Sequence, residues 1–405
     1  MTLQTTRIAI VGGGLSGLYA AYLLQHQGIS DVVVLEARDE LGGRISSINA
    51  EGQAVQHSST NSTFDRFDLG PTWFWPGYQE ELDQLVNTLG LERFEQFEAG
   101  DMVVERSHEG PAVRMRGYLS SPPSTRLVGG MGALVEALLR RVNPQKTVCG
   151  QTVRRLRKHD DHVEVECHAT NGTVTTWRAE HVLVALPPRL LESAIDFEPA
   201  LPGELARQWR STATWMAPHA KYIAIYDTPF WRDQGLSGEA RSMRGPLGEI
   251  HDASMPGGSP ALFGFFGVPA STRRKIPDEM LRALCREQLT RMFGPAAAAP
   301  KAEFVKDWAH DPYTATSTDV NAISQHAAAP SAIATSGPWH GCLTGIASEW
   351  SPQFPGYLAG AAEAARLGVQ ALNALAAAER LPYASQDACA LAGRLSRLSL
   401  KEQGS

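Results

Sequence analysis

Residues 7–17 read Arg-Ile-Ala-Ile-Val-Gly-Gly-Gly-Leu-Ser-Gly, and a second apolar run, Val32-Val-Val-Leu35, ends on Glu36. No other feature constrains the chain as tightly. The short apolar runs are those of buried strands, and Gly12, Gly14 and Gly17 between them stand in G-x-G-x-x-G spacing. Gly12 permits a tight turn, Gly14 lets a pyrophosphate approach the backbone, and Gly17 lets the following helix pack close to the strand. The helix start at Leu15 and Ser16 then offers free N–H groups and the positive end of a macrodipole to a phosphate. Glu36, followed by Ala37 and Arg38, falls where a carboxylate accepts from ribose hydroxyls. A dinucleotide-binding α/β fold begins here.

The rest of the chain excludes several other classes. Its 405 residues are 43% hydrophobic and 20% charged, an ordinary soluble composition. A net charge of −6 gives no general attraction to nucleic acid or to an anionic membrane. The cysteines at 149, 167, 285, 342 and 389 are dispersed with no Cys-x-x-Cys, which argues against a disulfide framework and a structural zinc site. No apolar run is long enough to span a bilayer, and the first strand begins too early for a leader to precede it. A cytoplasmic protein is the expectation.

Further along, Leu41-Gly-Gly-Arg44 brings Gly43 and Arg44 just after the second strand, and Asp68-Leu-Gly-Pro-Thr-Trp73 reads as a strand running into a turn. Gly129-Gly-Met-Gly132 precedes a helical run, residues 148–168 alternate as strands, and Val182–Leu186 is an apolar strand stopped by Pro187-Pro188. Lys221–Tyr226 and Ala261–Val268 read as strands, Asp278–Phe293 as an amphipathic helix, and an Ala-rich helix starts near Gly356. A tail helix with Ala388, Leu391, Leu395 and Leu398 on one face is expected to pack on the body or a partner subunit. The organisation that results is a discontinuous nucleotide-binding domain (1–75, 122–200 and 335–380), an interleaved mixed-sheet-plus-helix substrate domain (76–121 and 201–334), and a C-terminal tail (381–405).

At this point the chain resembles the flavin-containing amine oxidases of the monoamine oxidase type. Four blocks carry the likeness: Ile8–Arg44, Gly129–Leu134, Lys221-Tyr-Ile-Ala-Ile-Tyr-Asp-Thr-Pro-Phe-Trp231, and Ser348-Glu-Trp-Ser-Pro352 with Pro355-Gly-Tyr-Leu-Ala-Gly360. The resemblance implies an FAD-binding Rossmann-like domain and assigns roles residue by residue. Lys221 matches a lysine that holds a water against flavin N5. Gly356 and Tyr357 match the start of a helix aimed at the flavin pyrimidine end, with Tyr357 as one wall of a substrate cage beside Trp73. Gly70, Pro71 and Thr72, together with Ser348, Glu349 and Trp308, match positions around the cofactor, and Val153 one whose backbone meets adenine.

Two departures stand out. Ser317 occupies the position where some relatives carry a flavin-bonded cysteine; serine cannot make that thioether, so the FAD is expected to be non-covalent. Thr318 occupies the position of the second cage aromatic, leaving the cage half built. The segment between Trp75 and Pro122 is also short for the family, so part of the entrance is expected to be missing or supplied by a second subunit in a homodimer.

The activity implied is oxidation of a small-molecule amine to an imine by hydride transfer to flavin N5, with O2 reoxidising the cofactor to give H2O2. The alternatives are a related FAD oxidoreductase acting on amino acids or on a bulkier C–N or C–C substrate, and a non-catalytic flavin-binding protein.

Overall fold

The computed structural model of the protein describes residues 2–54, 65–107, 110–321 and 328–380. The tail helix expected over 385–398 lies outside them. The first strand, Thr2–Val11, is exposed at its start and buried over its last four residues. It lies between two parallel neighbours, Val174–Val184 and Val32–Leu35. A strand covered on both faces needs a continuous apolar run, which Ile8–Val11 and Val32–Leu35 supply. Leu343–Gly345 joins the same sheet in parallel beside Val174–Val184. Gln151–Lys158 and Val163–Ala169 extend it as an antiparallel wing.

The glycine turn leads into the helix Leu15–His26. A Cβ on Gly17 would lie 2.0 Å from the Gly12 carbonyl oxygen, so only glycine allows the helix this close to the turn. The C-terminal helix, Leu358–Arg380, lays Ala362, Ala365 and Val369 against the same core as Leu18 and Tyr22. Its alanines permit the approach.

Among the described residues a second sheet has seven strands. Ala220–Ile225 pairs antiparallel with Ala261–Phe266 on one side and Ala302–Asp307 on the other. Leu247–Asp252, Leu236–Ser242 and Asp101–Glu105 continue it. Side chains alternate across this sheet. Tyr222 and Ala224 pack with Leu281, Cys285 and Leu289 of the helix Asp278–Phe293, whereas Ile223 and Ile225 pack with Phe67 and Phe263 on the opposite face. Lys221, an odd-numbered neighbour of Ile223, therefore faces away from the helix.

Candidate active site

A cavity of about 700 Å3 runs between the two sheets. At one end it is lined by Gly12, Gly14, Leu15, Ser16, Glu36 and Arg38, and at the other by Thr72, Trp73, Lys221, Phe265 and Glu249. Gly43, Arg44, Gly70, Pro71, Trp308, Ser348, Gly356 and Tyr357 line it between these ends. Most residues singled out by the sequence thus share one wall system.

The nucleotide end fits a dinucleotide on its own geometry. The helix Leu15–His26 begins at Gly14 with no side chain capping its first N–H groups, and those residues border the cavity. An uncapped helix start facing a cavity offers its free N–H groups to an anion such as a phosphate. A Cβ on Gly14 would meet nothing closer than 3.9 Å, so the space in front of its backbone is open. Glu36 is buried, and its carboxylate accepts from the Gly13 N–H at 2.7 Å and the Arg38 N–H at 2.8 Å. Those bonds fix the acid at the strand end, where a ribose would reach it. Arg38 is held in turn by Asp311, at 2.7 Å.

Arg44 reaches across to the C-terminal segment. Its Nη2 donates to Glu349 Oε2 at 3.0 Å and to Ser348 Oγ at 3.1 Å. Glu349 is buried behind Arg44 and does not itself border the cavity. Gly17 and half-buried Ala37 lie behind the wall as well. Val153 sits in the strand Gln151–Lys158 with its side chain in the apolar core, off the cavity. Its neighbour Thr152 makes the nearer link, a 3.4 Å hydrogen bond to Tyr313, which does line the cavity.

Lys221 is 2% exposed. Its Nζ donates to the Asp68 carbonyl at 2.9 Å, the Gly70 carbonyl at 2.7 Å and the Thr72 hydroxyl at 2.7 Å. The rings of Phe263 and Phe265 flank the amine at 4.5 and 5.2 Å. Burial pulls its pKa down to about 7, with the Asp68 charge opposing that shift and Arg126 adding to it. As an ammonium, Lys221 has its three N–H bonds committed to protein. As a neutral amine it keeps a lone pair that can accept a hydrogen bond from water.

Tyr357 stands at the start of the C-terminal helix, preceded by Gly356 at φ +85°, a left-handed turn that favours glycine. The residue beside it is Trp215. The two rings lie 5.0 Å apart at 44°, and both line the cavity. Thr318 does not reach the cavity; it is exposed on the short helix Ser317–Asn321. The cause is its neighbour. Asp319 is buried, ion-paired to Arg189, and accepts from the Thr316 hydroxyl at 2.7 Å and the Thr214 N–H at 3.3 Å. Anchoring Asp319 turns Thr318 outward and fixes the backbone immediately before Trp215. The segment that carries Thr318 where relatives carry an aromatic thus positions an aromatic that comes from elsewhere.

The sequence also gave no notice of Glu239, Arg241, Glu249 and His251, which line the far end of the cavity. They alternate along two strands, Leu236–Ser242 and Leu247–Asp252, but nothing in their local pattern separates them from ordinary surface strand residues.

The family model for flavin-containing amine oxidoreductases matches residues 105–373, and one for an NAD(P)-binding Rossmann-like domain matches residues 10–89. A probable flavin-containing monoamine oxidase A of Dictyostelium discoideum is 24% identical over 76% of this chain and 84% of its own length. A putrescine oxidase of Kocuria rosea is 25% identical over 79% of this chain and 86% of its own. The fold is similar to that of cyclohexylamine oxidase from Brevibacterium oxydans IH-35A, with a TM-score of 0.73 at 18% identity, covering 93% of this chain and 100% of that one.

Proposed function

The chain belongs to the flavin-containing amine oxidoreductase family, and from that premise we propose how its residues divide the work of an FAD-dependent amine oxidase. Bound FAD would supply the redox chemistry: acceptance at N5 of a hydride from the carbon next to the amine nitrogen and, in our reading, delivery of the two electrons to dioxygen with release of hydrogen peroxide.

Gly12, Gly14, Leu15 and Ser16 would hold the pyrophosphate, Glu36 the ribose, and Arg44 and Ser348 the middle of the cofactor, with Glu349 fixing Arg44 from behind. The sheet of Thr2–Val11 and the segments joined to it form the cofactor domain, and the sheet of Ala220–Ile225 the substrate domain. The single observation that carries this reading is the continuity of one cavity from the uncapped helix start at Gly14 to the buried amine of Lys221.

The substrate amine must be neutral before its carbon can release a hydride, and an alkylammonium titrates near ~10 by analogy with lysine. Trp215, Tyr357, Trp73 and Phe265 line the cavity with apolar rings that disfavour the cation and so favour the reactive form. Lys221 holds the 68–72 loop closed as an ammonium and engages water only as the neutral amine, so its water-holding role belongs above pH 7. The protein works in the cytoplasm on this reading, supported by its free cysteines 149, 167, 285 and 342. No described helix is long and apolar enough to cross a membrane. A non-catalytic flavin carrier is not favoured, because the cavity keeps the lysine and the aromatic wall.

The test is product stoichiometry. Purified holoenzyme given primary amines in air should release one aldehyde and one hydrogen peroxide per amine consumed. Absence of peroxide with every amine offered would refute the reaction.

A further inference from the structure

The far end of the cavity carries a register that runs straight from the buried lysine. Lys221 is paired across the sheet with Phe265, Phe265 with Glu249, and Glu249 with Arg241. Residues directly opposite in an antiparallel sheet point to the same face, so these four side chains form one row on the cavity side. Neighbouring strands lie about 4.8 Å apart, which places Glu249 roughly 10 Å and Arg241 roughly 14 Å along the row from Lys221. Glu239 and His251, two residues away along their own strands, share that face.

Within this row the charges are already engaged. Arg241 donates to Glu239 Oε1 at 3.2 Å and is ion-paired to Glu249. Glu249 Oε1 lies 2.6 Å from His251 Nε2. Glu239 is 7% exposed and cannot swing out to solvent. Two carboxylates therefore face one guanidinium. Glu98, on the same cavity wall, accepts from the Ser120 N–H and hydroxyl at 2.6 and 2.7 Å and has no cation partner among the described residues. Burial raises and the neighbouring His251 and Arg241 lower the Glu249 pKa, and the net effect keeps it below the usual carboxylate value. This stretch of wall carries Glu98, Glu239 and Glu249 against Arg241, with His251 beside Glu249.

We propose that Arg241, clamped between Glu239 and Glu249, sets the substrate specificity: the trio selects an amine whose far end is a second ammonium and turns away one whose far end is a carboxylate. This rests on the amine-oxidising reading of the same cavity. An arginine facing a substrate cavity is the usual receptor for a carboxylate. Here each of its two terminal nitrogens already faces a carboxylate, and a substrate carboxylate would meet the excess negative charge instead. A second ammonium finds the reverse, a trio with one carboxylate more than it has guanidinium groups, whose Glu249 lies about two strands from the reacting end.

Matched ligands decide it. Holoenzyme is titrated with three sets of equal length: α,ω-diamines, n-alkylamines and ω-amino acids, each in a non-oxidisable form with no hydrogen on the carbon next to the reacting nitrogen. Binding is read by calorimetry, and turnover of the oxidisable parents in parallel. The diamine should bind at least about tenfold more tightly than the alkylamine, with the preference shrinking as salt is raised, and the amino acid more weakly than either. Glu249→Gln should remove most of the diamine preference. Glu239→Gln combined with Glu249→Gln should uncover Arg241 and reverse the order for the amino acid. Equal binding of diamine and alkylamine by the wild-type protein, or unchanged ratios in variants that retain flavin, would overturn the proposal. Intact binding order without oxidation of any amine would uphold the charge filter and refute the reaction.

Discussion

The Nζ of Lys221 and the hydroxyl of Thr72 lie 2.7 Å apart, and this bond ties the strand Ala220–Ile225 to the loop that follows Asp68. The same amine holds two carbonyls of that loop, so the cavity wall from Leu69 to Trp73 is fastened at one buried point. Thr72 is 5% exposed and water cannot replace its hydroxyl easily. Thr72→Val should therefore destabilise the protein by about 1–3 kcal/mol, the cost of leaving a buried donor short of an acceptor. Denaturant unfolding at pH 6, where Lys221 carries its proton, measures this; an unchanged midpoint would show that the clamp carries no stability.

Ionisation of Lys221 gives stability a pH dependence of known sign. Its pKa is about 7 in the folded protein, against an ordinary value of 10.5. Below pH 7 both folded and unfolded chains hold the proton, and above 10.5 neither does. Between them the unfolded chain binds more protons, so this group makes stability rise with pH across that window. Wild type should gain on Lys221→Met as pH is raised from 7 to 10. A constant difference between the two proteins would place the lysine pKa elsewhere.

Two glycines of the turn should fail in different ways. A Cβ at Gly17 would lie 2.0 Å from the Gly12 carbonyl, so Gly17→Ala should cost about 1–3 kcal/mol of overpacking in the protein with or without FAD. A Cβ at Gly14 meets no protein atom within 3.9 Å. Gly14→Ala should leave the apoprotein's melting temperature unchanged and weaken FAD binding. Equal FAD affinity in Gly14→Ala would move the pyrophosphate away from this turn.

The ring pair of Trp215 and Tyr357 should govern amine binding. Aromatic contacts of this kind contribute about 0.5–1.5 kcal/mol beyond buried area. Trp215→Ala should raise KM for amines roughly two- to tenfold with flavin still bound, whereas Thr318→Ala, on an exposed helix face, should change neither KM nor kcat. A strong effect at Thr318 with none at Trp215 would invert the assignment. Ser317 is exposed too, and acid precipitation should leave the flavin in the supernatant.

What could be read from the sequence was local. Gly12, Gly14, Gly17 and Glu36 act through turn geometry and strand ends within one short stretch; Gly12, Gly14 and Glu36 line one end of the cavity, and Gly17 packs behind them. Lys221 was legible through the apolar strand around it, although a strand buried on both faces hides which side the lysine takes. Thr318 misled because register after Tyr313 is set by Asp319, whose partners Arg189 and Thr214 are distant in sequence. Trp215 was silent for the same reason, since only the fold brings it to Tyr357. The pairing of Arg241 with Glu249 depends on sheet register, and a bulge between Leu247 and Glu249 resets that register relative to Phe265. Alternation along a strand cannot show such a shift.

The most direct test is a single anaerobic mixing experiment. Holoenzyme is combined with excess amine in the absence of oxygen, and the oxidised-flavin absorbance is followed in parallel with the same amine deuterated at the carbon next to nitrogen. The absorbance should bleach completely, more slowly with the deuterated amine, and return on admitting air. Flavin that stays oxidised with every amine would contradict the claim that the cavity between Lys221 and Tyr357 oxidises amines.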